Sequence, residues 1–378
     1  MLKDNHLFNL TAETFFVSIT VLYFITHLFL LRGLKNSFRL QKDSGPELPR
    51  VSVIVAGRNE TLNIVRCIDS LSRINYPSEL LEIILVNDNS TDNTLELMKE
   101  SSENFSFFKV INSAKNSSGN LKGKANAIDT AISICTGEII ISTDADCEVS
   151  PNWVRETVKY FSDSTAMVCG FTLIKSNGTL FSIMQSLDWI YLLALASSSA
   201  GLNQILSCIG NNLSFRKKTY NDIGGYSAIG FSVTEDLALM RKINSYKKYE
   251  IKYPVDKECI VETLPCSNIP ELLSQKRRWL RGGTGINFLG YIIGAQLYAV
   301  NILLLSGLFF MGIKTYLILI TVKIISELIL ISGIMKRFEL ENLYKYYPLF
   351  CLYFAAYGLT LPFSFLIKTK IQWKGRKF

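Results

Sequence analysis

Histidine is almost missing from this chain. Only two of the 378 residues are histidines, His6 and His27, and both lie before residue 30. The segment between the apolar ends of the chain therefore has no imidazole to act as a general base or as a metal ligand. Histidine-based catalysis is excluded from that segment.

Paired cysteines are also lacking. The eight cysteines have no CxxC spacing, so they indicate neither a zinc site nor a thiol pair. We interpret them as small buried apolar residues in a reducing compartment. Internal repeats and low-complexity tracts are absent as well.

Long apolar runs are present near both ends, in a chain that is 48% hydrophobic. The first covers residues 15–31, close to the roughly 20 residues that a spanning helix needs. A secretory signal has basic residues before its apolar stretch, whereas here Arg32, Lys35 and Arg39 follow it. We expect residues 1–48 to be an uncleaved anchor with a basic, cytoplasmic linker.

The C-terminal region, residues 284–378, predicts three further spans at about 288–311, 314–335 and 347–367. Four crossings from an outside N-terminus place the basic tail outside, against the positive-inside tendency, so one segment could instead be re-entrant or interfacial. We expect a multi-pass integral membrane protein with a cytoplasmic catalytic domain. A bacterial inner membrane is favoured, and an endomembrane is the alternative.

The net charge of +8 suits a protein that lies near anionic lipids and handles a pyrophosphate. It suits other basic membrane proteins equally well. We expect membrane lipids as partners, and no nucleic acid.

The middle of the chain, residues 49–283, alternates strand-length apolar runs with amphipathic helical stretches. This pattern predicts βαβ units and a mostly parallel sheet. The expected strands are residues 51–56, 81–87, 107–111 and 138–143. Polar loops follow three of them, at the sheet edge where open α/β sheets bind ligands, so we expect a polar ligand with cations there.

Residues 178–200 form an apolar, helix-like segment that is interrupted by Gln185 and Asp188. Its tryptophan and tyrosine suit a helix in the membrane interface. An ordinary buried helix beneath the sheet is the alternative.

Two carboxylates, Asp144 and Asp146, directly follow the strand at 138–143. Oxygen ligands at this spacing suit Mg²⁺ or Mn²⁺, which would neutralise a diphosphate leaving group. An acidic turn without a metal is the alternative.

Asp88 follows the second strand, where its carboxylate can accept from a nucleobase or ribose, although a helix cap explains it equally well. Lys124 precedes an amphipathic helix and can face phosphate oxygens. Asp236 lies in the first turn of a later helix, either as a favourable charge for the helix dipole or as a general base.

The segment from Gln275 to Trp279 follows a helix start at Pro270. Gln275, Arg278 and Trp279 share one helix face by their spacing. Arginine suits a pyrophosphate and tryptophan suits a sugar ring. A basic juxtamembrane run is the alternative.

In this order the segments resemble family 2 glycosyltransferases of GT-A (Rossmann-like) fold, particularly the membrane-embedded members such as cellulose, hyaluronan and poly-N-acetylglucosamine synthases and ceramide glucosyltransferases. The matching motifs are VSVIVAGRNE (51–60), VNDNSTD (86–92), DAD (144–146), GNNLSFR (210–216) with GGY (224–226), TED (234–236) and QKRRW (275–279). The resemblance implies an α/β GT-A domain flanked by transmembrane helices.

The resemblance also implies roles for individual residues. Asp236 would be the catalytic base, Asp146 and Asp144 would hold Mn²⁺ or Mg²⁺, and Trp279, Glu235 and Asn212 would contact the acceptor. The nucleotide-sugar donor would contact Glu60, Asp88, Lys124, Asp144, Gln275 and Arg278.

The activity we expect is inverting transfer from a nucleotide sugar, with UDP favoured over GDP, to a lipid or lipid-linked acceptor. The alternative is a processive polysaccharide synthase subunit that acts with a membrane partner subunit, since about four spans are too few for a translocation channel. A non-enzymatic scaffold is disfavoured because Asp144, Asp146 and Asp236 are all present.

Overall fold

The computed structural model describes residues 2–43, 47–114, 121–360, 362–363, 372–373 and 376–377. Its strands are, in chain order, β1 (Val51–Gly57), β2 (Leu81–Asn87), β3 (Phe108–Asn112), β4 (Ile139–Asp144), β5 (Glu148–Val149), β6 (Thr165–Cys169), β7 (Thr172–Ile174), β8 (Leu213–Arg216), β9 (Glu250–Lys252), β10 (Val261–Thr263), β11 (Gln372–Trp373) and β12 (Arg376–Lys377).

The main sheet has seven strands in the order β3-β2-β1-β4-β8-β6-β9. Strands β1 to β4 are parallel neighbours, and β1, β2 and β4 carry aliphatic residues that are buried on both faces of the sheet. This is the composition that a covered parallel sheet requires. The predicted mostly parallel α/β sheet is confirmed, with β8 inserted antiparallel between β4 and β6.

The register of the central strands brings their carboxyl ends to one edge. Gly57 at the end of β1 pairs with Asn87 at the end of β2, and Ala56 pairs with Asp144 at the end of β4. The loops that follow these strands therefore start next to one another. A small second sheet, in the order β5-β10-β7, lies beside the loop after β4.

The helices that accompany the sheets are α2 (Ile64–Ser72), α3 (Thr94–Ser102), α4 (Lys124–Ile134), α5 (Trp153–Val158), α7 (Lys217–Asp222), α8 (Gly225–Ile229), α9 (Glu235–Ser245) and α10 (Ile269–Gly282). Short 3₁₀ turns occur at Gly210–Asn212, Lys257–Cys259, Gly307–Phe309 and Glu341–Tyr346. Helix α10 begins after the cap Asn268, with Pro270 in its first turn as predicted.

A second group of helices is apolar and packs together beside the sheet domain. Its members are α1 (Leu2–Phe38), α6 (Leu180–Ala200), α11 (Phe288–Ser306), α12 (Ile313–Arg337) and α13 (Tyr347–Thr360). Among the described residues, four segments are long and apolar enough to cross a membrane: Thr11–Phe38, Leu180–Ala200, Phe288–Phe309 and Ile313–Arg337.

Three of these four segments coincide with predicted spans. The fourth predicted span, at 347–367, corresponds to α13, whose 14 residues are fewer than the roughly 20 that a crossing needs. Residues 361 and 364–367 of that span lie outside the described part of the chain.

Helix α6 corresponds to the apolar segment at 178–200. The sequence left two positions open for it, the membrane interface or a buried position beneath the sheet. It is buried on nearly all sides, because it packs against α1, α12, α13 and β7. A helix that is apolar all round is expected to lie in an interior. The buried alternative agrees with this packing, although α6 separates the sheet domain from the other apolar helices rather than lying beneath the sheet alone.

The cysteines have the positions that their spacing suggested. All eight are free, and only Cys208 is not fully buried. They fill space in the two hydrophobic cores on either side of the main sheet and among the apolar helices.

Candidate active site

The loops after β1 and β2 are fastened to each other. The guanidinium group of Arg58 donates hydrogen bonds to the backbone oxygens of Asp88, at 2.8 Å, and Asn89, at 2.5 Å. Asn59 and Asn89 both have positive φ angles, of 54° and 52°, a conformation that asparagine tolerates better than most residues. The guanidinium group of Arg58 therefore holds the two loops together at the rim of the site.

Asp88 and Glu60 are buried at this edge, with 2% and 7% of their surfaces exposed. Oδ1 of Asp88 accepts a hydrogen bond from the hydroxyl of Ser113 at 3.2 Å, and Oε2 of Glu60 accepts one from the amide of Asn63 at 3.0 Å. Both carboxylates thus have fixed positions next to the strand ends, as the sequence predicted for them.

Lys124 links two parts of the site that are distant in sequence. Its Nζ forms ion pairs with Oδ1 of Asp144, at the end of β4, and with Oε1 of Glu235, the first residue of α9, at 3.3 Å. Burial alone would lower the pKa of Lys124, but the carboxylates of Asp144 and Glu235 outweigh burial and raise that pKa above its usual value. Lys124 is therefore a permanent positive charge between two acidic groups.

Asp146 lies two residues beyond Asp144, in the turn between β4 and β5. Its backbone oxygen accepts a hydrogen bond from Arg66 at 3.1 Å, and its Oδ1 accepts one from the thiol of Cys147 at 3.5 Å. Within the described residues, no three histidine, cysteine or acidic side chains form a ready metal cluster. Two carboxylates still suit Mg²⁺ or Mn²⁺, which commonly take their other ligands from phosphates and water.

Asp236 is the second residue of α9, and its Oδ1 accepts a hydrogen bond from the backbone N–H of Leu237 at 2.8 Å. Burial, and then the negative charge of Glu235, raise the pKa of Asp236 to about 6. A β carbon on Gly210 would lie 3.0 Å from Oδ2 of Asp236, so the 3₁₀ turn approaches this carboxyl group closely. A carboxyl group with a pKa near the working pH is suited to accept a proton.

Helix α10 carries the QKRRW segment beside α9. The amide oxygen of Gln275 is buried without a hydrogen-bond partner, and the charge of Arg278 acts on Asp236 by lowering its pKa in part. Trp279 instead packs against Trp189 of α6, with ring centroids 5.5 Å apart. Within the part of the chain that the structure describes, the amide oxygen of Gln275 thus has no hydrogen-bond partner, whereas part of the Trp279 ring is used in packing.

Asn212, which the resemblance assigns to the acceptor, has a buried side chain. Its side chain is 1% exposed and fully hydrogen bonded: Oδ1 accepts from the indole of Trp153 at 3.1 Å, and Nδ2 donates to the backbone oxygens of Phe171 and Cys259 at 2.7 and 2.8 Å. These bonds engage its amide with the protein core, and the acceptor contact stays a prediction. The turn at Gly210–Asn212 contributes the close approach of Gly210.

Three residues that hold the site together were not predicted. Arg241 of α9 donates to the backbone oxygens of Gly282, Gly283 and Thr284 at the end of α10, at 3.3, 3.2 and 2.9 Å. Lys276 of α10 is paired with Asp188 of α6. The interruption of an apolar helix by Asp188 was a signal for such a partner, since a buried carboxylate needs a cation.

Comparison with known proteins relates the chain that forms this site to a glycosyltransferase family. Residues 52–237 match Glycosyl transferase family 2. The chain is similar to "Probable glycosyltransferase YdaM" of Bacillus subtilis, with 25% identity over 290 residues, 71% of this chain and 65% of the relative. It is also similar to "Poly-beta-1,6-N-acetyl-D-glucosamine synthase" of Staphylococcus epidermidis, with 26% identity over 283 residues, 74% of this chain and 66% of the relative.

A third relative is "Beta-monoglucosyldiacylglycerol synthase" of Nostoc sp., with 26% identity over 248 residues, 64% of this chain and 51% of the relative. The alignments thus span less than two thirds of each relative's length. Among solved structures, a mannosyltransferase from Pyrobaculum calidifontis in complex with GDP-Man and Mn²⁺ has a TM-score of 0.61 at 18% identity, over 92% of this chain and 99% of that one. This likeness confirms the GT-A-like fold.

Proposed function

Because residues 52–237 of this chain form a glycosyl transferase family 2 domain, we propose that the protein is an inverting glycosyltransferase that moves a sugar from a UDP-sugar to a hydroxyl group of a lipid or lipid-linked acceptor. The observation that carries the proposal is the linkage of Asp144, Lys124 and Glu235 next to Asp236. This linkage connects the sheet edge that would bind the phosphates to Asp236, whose raised pKa suits a general base.

In this reaction Asp236 accepts the proton of the acceptor hydroxyl while that oxygen attacks the anomeric carbon. The bond from the anomeric carbon to the diphosphate oxygen breaks, and the nucleoside diphosphate leaves from the opposite face. A single displacement inverts the anomeric configuration. A positioned general base of this kind contributes about 10²–10⁴-fold in rate.

Asp88 and Glu60 face the nucleoside, and Lys124, Gln275 and Arg278 face the diphosphate. Arginine and lysine stabilise the negative charge that develops on the leaving group. A Mn²⁺ or Mg²⁺ ion held by Asp146 and Asp144 would supply further neutralisation of that charge.

A lipid acceptor is supported by the position of α10. This helix ends at Gly282, and α11, which is apolar enough to cross a membrane, starts at Phe288. Trp279 lies where α10 meets α6, so an acceptor hydroxyl at the membrane surface would approach Asp236 from that side. The relative named Beta-monoglucosyldiacylglycerol synthase supports the same substrate class.

A polymer product is the second candidate, which the similarity to a poly-N-acetylglucosamine synthase supports. A polymer needs a path through the membrane. Between α1, α12 and α13 lies instead a cluster of hydrogen-bonded side chains around Glu327. Glu327 accepts hydrogen bonds from Tyr23 at 2.6 Å and Tyr347 at 3.0 Å and pairs with Lys323 at 2.8 Å. This packing favours transfer of one or a few sugars.

The proposal places the protein as a multi-pass protein of a bacterial inner membrane. Its sheet domain would lie on the cytoplasmic side, because basic residues follow the first apolar segment and nucleotide sugars are cytoplasmic metabolites. A membrane partner subunit belongs to the polymer alternative only.

The test is nucleotide release by the detergent-purified full chain, with UDP-glucose, UDP-N-acetylglucosamine, UDP-galactose or GDP-mannose, added membrane lipid and Mn²⁺ or Mg²⁺, followed by mass analysis of the product. A lipid with a single added sugar, missing in Asp236→Asn, is the expected result. A ladder of products would favour the polymer alternative. No turnover with any donor, lipid and metal would overturn the proposed activity.

A further inference from the structure

Helix α10 has a buried polar attachment on the side that faces away from the proposed donor. Nζ of Lys276 contacts Oδ2 of Asp188 in α6, and the two side chains are 3% and 0% exposed. The other oxygen of Asp188, Oδ1, accepts a hydrogen bond from the hydroxyl of Tyr357 in α13. The carboxylate is thus satisfied from two helices, α10 of the sheet domain and α13 of the apolar group.

The same lysine is in contact with aromatic rings. Its Nζ lies 4.4 Å from the ring centroid of Trp279 and 5.5 Å from that of Tyr357. A cation between a carboxylate and two ring faces has little freedom to move. Lys276 therefore also fixes the ring of Trp279 in α10.

Stability alone is a poor explanation for such a pair. Removing two charges from water costs about as much as their attraction returns, so apolar replacements of buried pairs are often neutral or stabilising. A pair of this kind restricts the orientation of its helix, because an ammonium group with fixed partners permits few rotations of the helix that carries it. Lys276 directly follows Gln275 and precedes Arg278 by two residues, so the orientation that it fixes also sets theirs.

We propose that Asp188 is a positioning residue: through Lys276 it holds α10 in the rotation that presents Gln275 and Arg278 to the donor diphosphate. This inference rests on the proposed function for the identity of the ligand. It assigns the apolar helices α6 and α13 a part in donor binding, in addition to any anchoring. A tilt of these helices would then alter the affinity for the donor.

Two tyrosines of α13 provide a matched pair of variants. Tyr357→Phe removes the hydroxyl that donates to Asp188, and Tyr347→Phe removes a hydroxyl that donates to Glu327 at 3.0 Å. Both changes delete one oxygen from a tyrosine of the same helix, Tyr347 being buried and Tyr357 half-buried. We expect Tyr357→Phe to weaken binding of UDP with Mn²⁺ about tenfold, measured by calorimetry on the full chain, and Tyr347→Phe to leave it unchanged.

The charge pair itself is tested by Asp188→Asn, Lys276→Met and the double variant. Each single change leaves a buried charge without its partner, so we expect a lower Tm. The double variant should regain most of that Tm but keep the weakened UDP binding and a raised KM for the donor, with a smaller change in kcat. Recovery of binding together with Tm would reduce the pair to a structural role and overturn the proposal.

Amide hydrogen exchange over Ile269–Gly282 separates this inference from the proposed function, because it needs no substrate. We expect faster exchange in Tyr357→Phe and in the double variant than in Tyr347→Phe. Equal exchange in all of them would overturn the positioning role even in an active enzyme. Faster exchange in a protein that transfers no sugar would support the positioning of α10 and count against the glycosyltransferase activity.

Discussion

Gly282, at the end of α10, lies against Thr234, the residue before α9. A β carbon on Gly282 would be 2.1 Å from Oγ1 of Thr234. The helix that carries Gln275 and Arg278 and the helix that carries Asp236 thus touch at a point where only glycine fits. Together with the hydrogen bonds of Arg241, this contact sets the distance between the proposed base, Asp236, and the helix face that we propose to bind the diphosphate.

Gly282→Ala should therefore separate the two helices. Overpacking of this kind costs about 1–3 kcal/mol, and we expect kcat/KM to fall about tenfold or more. Steady-state kinetics with the donor identified by nucleotide release measure the change. Gly294→Ala in α11 is the control, because a β carbon there meets nothing within 4 Å. Equal activity of the two variants would show that the contact is not needed.

The acid limb of the pH profile should follow Asp236. A base works only when it is deprotonated, so with a pKa of about 6 we expect kcat/KM to fall as the pH decreases below about 6. The negative charge of Glu235 contributes to this raised pKa, so Glu235→Gln should move the limb to lower pH. A limb that moves upward, or one that is unaltered in Asp236→Asn with residual activity, would contradict the assignment.

The same pKa affects stability with a definite sign. Because the folded protein holds the proton of Asp236 more tightly than the unfolded chain, whose value is near 3.8, this group's contribution to stability decreases as the pH rises between about 4 and 6. In Asp236→Asn we expect that part of the pH dependence of Tm to vanish. Thermal unfolding between pH 4 and 7 measures it.

Asn212→Ala should destabilise the fold. It removes three buried hydrogen bonds and leaves the indole N–H of Trp153 and the backbone oxygen of Cys259 without this partner, while the backbone oxygen of Phe171 keeps its bond from the N–H of Val261. We expect a loss of about 3 kcal/mol in the free energy of unfolding. Asn75→Ala, which removes an exposed side-chain hydrogen bond to Asn152, is the control. An unchanged Tm together with a raised KM for the acceptor would instead show that Asn212 acts in acceptor binding.

The proposed metal dependence can be tested at Asp146. Chelation of divalent cations should abolish nucleotide release, and added Mn²⁺ or Mg²⁺ should restore it. In Asp146→Asn we expect the Mn²⁺ concentration for half-maximal activity to rise about tenfold or more. Asp163→Asn changes an exposed aspartate outside the site and should keep the original dependence. Full activity of the chelated protein would contradict a metal held by Asp146 and Asp144.

The local sequence pattern was sufficient to predict which polar residues lie at the edge of the sheet. Strand-length apolar runs followed by polar loops placed Asp88 and Asp144 correctly, because in a parallel sheet the carboxyl end of every strand lies at the same edge. Pattern was also sufficient for the apolar segments of α1, α11 and α12, whose length and composition are properties of the chain itself.

The sequence pattern did not predict the directions in which these side chains point. Gln275, Arg278 and Trp279 share a helix face by spacing, yet Trp279 packs on Trp189 because Lys276 is drawn to Asp188, a residue 88 positions earlier. The sequence also did not predict that the side chain of Asn212 is hydrogen bonded to Trp153, Phe171 and Cys259.

The sequence alone determined the first four strands of the sheet, the polar loops after three of them and the membrane-length apolar runs, because each depends on residues close together in the chain. Only the tertiary structure decided that Lys124 joins Asp144 to Glu235, that α6 is buried among other helices, and that Asp188 supports α10. Those relationships are set by charges and packing partners from distant parts of the chain, and no local period encodes them.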